Sequence, residues 1–117
     1  MGFEVQARTV GAVAVLDAVG QLTTIDGHTK MRDLVYVLTR SGTKRFVLNL
    51  GSVEFIDSSG IGELLRSYFV VRQAAGDLKL ACLNAHALEV LNISHMNTVF
   101  DIYGSEAEAL RAFGQRV

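Results

Sequence analysis

The chain has 117 residues, half of them apolar and a fifth charged, with 11 basic residues against 12 acidic ones and a formal net charge of -1. That size and balance fit one globular domain with an ordinary hydrophobic core, and argue against a disordered chain, whose low hydrophobicity and high charge cannot offset the entropy of ordering. They also argue against nucleic-acid binding, which needs a basic stripe, and against a membrane span, which needs roughly 20 consecutive apolar residues.

In chain order, Met1 to Val10 lacks the basic-then-apolar pattern of a signal peptide. Phe3 to Arg8 and Val13 to Val19 are rich in β-branched residues and separated by Gly11, which predicts an opening strand pair. His28, Met31, Val35 and Leu38 recur at the spacing of one helix face, with Ser41-Gly42 as a stop. Phe46 to Leu50 is nearly all apolar and suits a central strand. Ile61, Leu64, Leu65, Tyr68, Phe69 and Arg72 predict a second helix face ending at Gly76.

Leu78 to Leu83 predicts a further strand and contains Cys82, the only cysteine, which reads as a buried small hydrophobe in a reducing cytoplasm. Asn84 can cap a third helix through Leu88 and Leu91. Val99 to Tyr103 predicts a last strand, and Ser105 with Glu108 three residues later is the capping-box signature of a fourth helix, ending near Gly114. With no proline, linker or repeat, residues 1–117 read as a single α/β domain: a mixed sheet of about five strands with four helices, in the order β-β-α-β-α-β-α-β-α.

The chemistry concentrates in Val53-Glu54-Phe55-Ile56-Asp57-Ser58-Ser59-Gly60-Ile61-Gly62, between the central strand and the second helix. Asp57 and Ser58 are both preferred N-cap residues, so each either satisfies a free backbone N–H or serves a function. Gly60 and Gly62 fall in the first turn, where each costs about 1 kcal/mol relative to alanine. That cost implies a need for bare backbone, to let another element approach closely from within the fold or from a partner.

An enzyme reading lacks its parts. The nucleophile elbow needs glycine two residues before the serine, where Ser58 has Ile56 and Ser59 has Asp57. His28, His86 and His95 are candidate bases, with no motif directing any of them to Ser58. No phosphate loop or dinucleotide fingerprint is present, so no catalytic residue, metal site or cofactor is expected.

Phe55-Ile56-Asp57-Ser58-Ser59-Gly60-Ile61-Gly62, following a Val47-Leu48-Asn49-Leu50 strand, resembles the STAS-domain anti-sigma factor antagonists of bacteria. The resemblance extends to Gly20-Gln21-Leu22-Thr23-Thr24, to Gly76-Asp77-Leu78-Lys79-Leu80 and to the Ser105 to Phe113 helix. It implies a STAS-like fold and a phosphorylation switch at Ser58, the first serine of the motif. In that cycle the unmodified protein binds an anti-sigma factor serine kinase with a histidine-kinase-like ATPase fold and releases sigma factor. Phosphorylation ends the binding, and a PP2C-type phosphatase resets it.

The resemblance further implies a cytoplasmic monomer or weak dimer whose partner contacts include Leu22, Thr24, Asp57, Ser58, Ser59, Gly60, Ile61 and Gly62. Thr24 could equally cap the first helix. The chain departs from the family where Gln21 and Thr23 replace two acidic residues that engage the kinase. STAS domains also build stress-signalling scaffolds and serve as accessory subunits of lipid-transport complexes, which is the alternative role.

A phosphoserine adds about -1.5 to -2 charges, which a helix N-terminus tolerates, so the fold is expected to survive modification. The same charge in an interface centred on Gly60, Ile61 and Gly62 is expected to meet repulsion from Asp57, Glu54 and Glu63 as well as a desolvation cost.

Overall fold

Apolar residues alternate with polar ones from Phe3 to Arg8 and run continuously from Val13 to Leu16, and the structure buries both faces of the second segment. In the computed structural model, which describes residues 2–23 and 29–116, β1 (Phe3–Val10) and β2 (Val13–Leu22) form an antiparallel hairpin with Val10 opposite Val13. Ala14, Leu16, Ala18 and Leu22 of β2 enter the larger core, while Val13 and Val15 point to a smaller one on the opposite side.

Helix α1 (Lys30–Arg40) leads to β3 (Arg45–Ile56), and α2 (Ser58–Gln73) to β4 (Asp77–Ala81). Helix α3 (Ala85–Ile93) and a 3-10 turn at Met96–Thr98 precede β5 (Asp101–Tyr103) and α4 (Glu106–Ala112). The five strands lie in the order β1-β2-β3-β4-β5, antiparallel only between β1 and β2. This is the expected mixed sheet and element order, with the 3-10 turn added.

Helices α1 and α2 cover one face through Met31, Val35, Ile61, Leu64 and Val71, packed on Leu16, Phe46, Leu48 and Leu50. Helix α4 covers the other through Ala109 and Leu110, against Val13, Val15, Val47 and Ala81. Each fully buried leucine contributes about 1.5–3 kcal/mol of transfer free energy. Asn84 and Ser105 cap α3 and α4 as expected: Asn84 accepts from the N–H of Ala87, and Ser105 and Glu108 exchange the two bonds of a capping box.

Several expectations change: the last two strands are shorter than Leu78 to Leu83 and Val99 to Tyr103, with β4 ending at Ala81 and β5 starting at Asp101. Strand β3 is 12 residues long, continuing six residues beyond Leu50, because it stays paired with β2 as far as Leu22 opposite Ile56. Register shifts between Asp17 and Val19 and between Gly20 and Gln21 accommodate the pairing. On α2 the fully packed residues are Gly60, Ile61, Glu63, Leu64, Ser67 and Val71, whereas Phe69, placed on the buried face by spacing, is exposed. Cys82 is only partly buried and has φ +67°, uncommon for any residue but glycine. His28, expected on the first helix, lies outside the described residues.

Candidate functional site

The extension of β3 places the site. By staying paired with β2 to their common end, it delivers Asp57 directly beside Leu22, where the Asp57 N–H donates to the Leu22 carbonyl at 3.4 Å. Asp57 has extended backbone angles (φ -106°, ψ -174°) and its side chain accepts from the N–H of Gly60 at 2.9 Å. Asp57 is therefore the N-cap of α2. Ser58 is the first helical residue, so the expected cap role for its hydroxyl is corrected: Ser58 lies at the exposed start of the helix. Ser59, one residue on, is half-buried and engaged in a polar interaction.

The two glycines have different reasons. A β-carbon on Gly60 would collide with the Leu22 carbonyl and crowd the Ile56 side chain, so bare backbone there is a demand of the fold. A β-carbon on Gly62 would meet only the Nη1 of Arg66, at 3.2 Å. Gly62 is partly exposed, and the fold makes no comparable demand on it. Ile61 is 8% exposed and belongs to the large core.

Leu22 is fully buried, so its side chain is a core group and its main chain alone borders the site. Thr24 lies outside the described residues. Thr23 is buried and has an interaction partner. The structure thus brings Leu22, Asp57, Ser58, Ser59, Gly60, Ile61 and Gly62 to one end of the sheet and leaves Ser58, Ser59 and Gly62 as its accessible part.

The charges around this end differ from expectation at one residue. Glu63 is 3% exposed and held between two arginines rather than facing outward. Arg66 Nη1 donates to its Oε2 at 2.9 Å, while Arg32 Nε, from α1, stands 3.7 Å from Oε1. Oε1 finds no hydrogen-bond donor among the described residues. A carboxylate so compensated adds little repulsion to an incoming anion, whereas Glu54 is exposed.

Sequence reasoning missed Arg32 and Arg66. Glu63 and Arg66 are three apart on a helix, a pairing signal visible in sequence, but the approach of Arg32 depends on helix packing. An exposed aromatic also adjoins the site: Phe55 stacks on His86 with ring centroids 5.0 Å apart. His95 is placed elsewhere, before the 3-10 turn with φ +61°. No described helix is long and apolar enough to cross a membrane.

Comparison with known proteins gives the family context. The family model described as the STAS domain matches residues 4–109. The chain is 27% identical over 115 residues to an anti-sigma F factor antagonist of Paenibacillus polymyxa, with 94% of each chain covered. Among solved structures, it resembles a Thermotoga maritima protein described as a candidate anti-sigma factor antagonist, with TM-score 0.86, 21% identity and 95% of each chain covered. It also resembles the anti-sigma factor antagonist SpoIIAA in its unphosphorylated form, with TM-score 0.80, 21% identity, and 97% of this chain and 100% of that one covered.

Proposed function

Because the chain belongs to the STAS domain family, with a relative named as an anti-sigma factor antagonist along nearly its whole length, we propose that it is itself an anti-sigma factor antagonist switched by phosphorylation of Ser58. The unmodified protein binds an anti-sigma factor that is also a serine kinase, and sigma factor is released. Phosphorylated Ser58 ends the binding, and a PP2C-type phosphatase restores it.

The observation that carries this reading is the division of labour at the start of α2. Asp57 caps the helix, so the fold does not require the Ser58 hydroxyl as a cap, and that hydroxyl stands at the exposed end of the element. A phosphate there adds about two negative charges at a helix N-terminus, which stabilises the folded chain by roughly 0.3–1 kcal/mol. In an interface over Ser58, Ser59 and Gly62, the same phosphate must lose water and lies beside Asp57. A cost of about 3 kcal/mol lowers affinity on the order of a hundredfold.

Incubation with ATP and the histidine-kinase-like anti-sigma factors of the source organism, followed by mass spectrometry, tests the site. The expected result is one phosphate on the peptide containing Ser58, absent from Ser58→Ala. Modification at Ser59 instead, or of no residue by any of them, overturns the proposal.

A further inference from the structure

Arg66 occupies an unusual position for a helix surface arginine. Ser58, Gly62 and Arg66 follow one another at four-residue spacing along one face of α2, where successive side chains are about 5–6 Å apart. Helical side chains lean toward the N-terminus, and the Arg66 guanidinium does so far enough to stand 3.2 Å from where a β-carbon on Gly62 would be. One turn of helix, about 5.4 Å, separates that point from the level of Ser58. Gly62 presents no side chain across the gap.

The present partner of Arg66 can be released. Glu63 binds Arg66 at 2.9 Å and has Arg32 3.7 Å from its other oxygen, an oxygen with no hydrogen bond among the described residues. Arg32 can therefore close on Glu63 when Arg66 departs, leaving the buried carboxylate compensated. Arg66 itself is largely exposed, with 59% of its side-chain surface free, and is able to move.

We infer that Arg66 receives the phosphate on Ser58: its guanidinium passes from Glu63 across the bare Cα of Gly62 and forms an intrahelical ion pair with the phosphoserine. This rests on the proposed phosphorylation of Ser58 and specifies how the fold responds to it. Guanidinium and phosphate match as a two-point hydrogen-bonded pair, and the arginine offsets the repulsion between phosphate and Asp57. The pair also covers Gly62, so modification closes part of the accessible surface as well as charging it.

The test uses the full chain with phosphoserine inserted during translation at position 58, which requires no kinase, in wild type, Arg66→Gln and Arg66→Lys. Phosphorus NMR follows the second phosphate ionisation, about pH 6 in a free phosphoserine. Removing the cation in Arg66→Gln is expected to move that ionisation upward by about half a pH unit or more, with Arg66→Lys between the two. Identical titrations of folded wild type and Arg66→Gln overturn the inference. Should Arg66→Gln fail to fold, Gly62→Val blocks the same path: an upward movement supports the pairing and an unchanged titration overturns it. Because the phosphate is installed without a kinase, a negative result here leaves phosphorylation of Ser58 to be judged by the kinase experiment alone.

Discussion

The carbonyl of Leu22, the last residue of β2, occupies the space a β-carbon on Gly60 would need. The start of α2 is thereby clamped to the end of the sheet, and Ser58, two residues earlier, takes a defined position. Gly60→Ala must displace main chain at the strand end, and overpacking of this kind costs about 1–3 kcal/mol, more than the helix-propensity gain of about 1 kcal/mol. Gly62→Ala meets only the mobile end of Arg66 and should raise stability by about half a kcal/mol. Urea denaturation of the two variants checks the opposite signs.

The assignment of the cap separates Asp57 from its neighbour. Asp57→Ala removes the oxygen that accepts from Gly60 and should cost about 1 kcal/mol. Ser58→Ala at the exposed first helical position should stay within about 0.5 kcal/mol of wild type. A larger loss in Ser58→Ala than in Asp57→Ala, measured by thermal or urea melting, would reverse the roles.

Glu63 supplies a prediction about non-additivity. Arg32→Gln or Arg66→Gln alone leaves the buried carboxylate still compensated by one cation and should cost about 1 kcal/mol, well short of the loss expected for an unpaired buried charge. The double variant leaves it with none and should cost about 3 kcal/mol or more. The excess over the sum of the single changes is read from a double-mutant cycle. A simple sum would show that the arginines do not share Glu63.

Much of the fold is legible in the sequence where the signal is local. The Asn84 cap, the Ser105–Glu108 capping box and the opening strand pair on either side of Gly11 each depend on residues close in sequence and appear as written. The last six residues of β3 are not legible, because Gly51-Ser52 resembles a turn and only pairing with β2 keeps the segment extended. At the site, the sequence points to the serine and glycines but not to their roles. Asp57 and Ser58 are equivalent caps by type, and the reason for Gly60 lies in a carbonyl 38 positions earlier. Burial of Glu63 depends on Arg32 from another helix, which spacing along one helix cannot disclose.

Acid should loosen the attachment of α4. Glu106 accepts hydrogen bonds from Arg8 and from Asn49, the latter at 3.0 Å, and so ties α4 to β1 and β3. The Arg8 bond, helped by Asn49 and opposed by burial, holds the Glu106 carboxyl below its ordinary value of 4.5. A carboxyl depressed in the folded state contributes stability above its unfolded value, and that contribution is lost as pH falls through the folded value. From about pH 5 downward, wild type should therefore lose more stability than Glu106→Gln. Parallel stability curves for the two proteins would remove this role from Glu106.

A phosphate on Ser58 should end partner binding while leaving the fold intact. Calorimetric titration of the unmodified chain and the chain carrying phosphoserine at position 58, against nucleotide-loaded histidine-kinase-like anti-sigma factors of the source organism, tests it directly. One of these partners should bind the unmodified chain at micromolar strength or better and the phosphorylated chain about a hundredfold more weakly, a difference of about 3 kcal/mol, with both chains melting within a few degrees of each other. Equal affinity for the two forms, or no binding of the unmodified chain to any of these partners, would rule out a switch at Ser58.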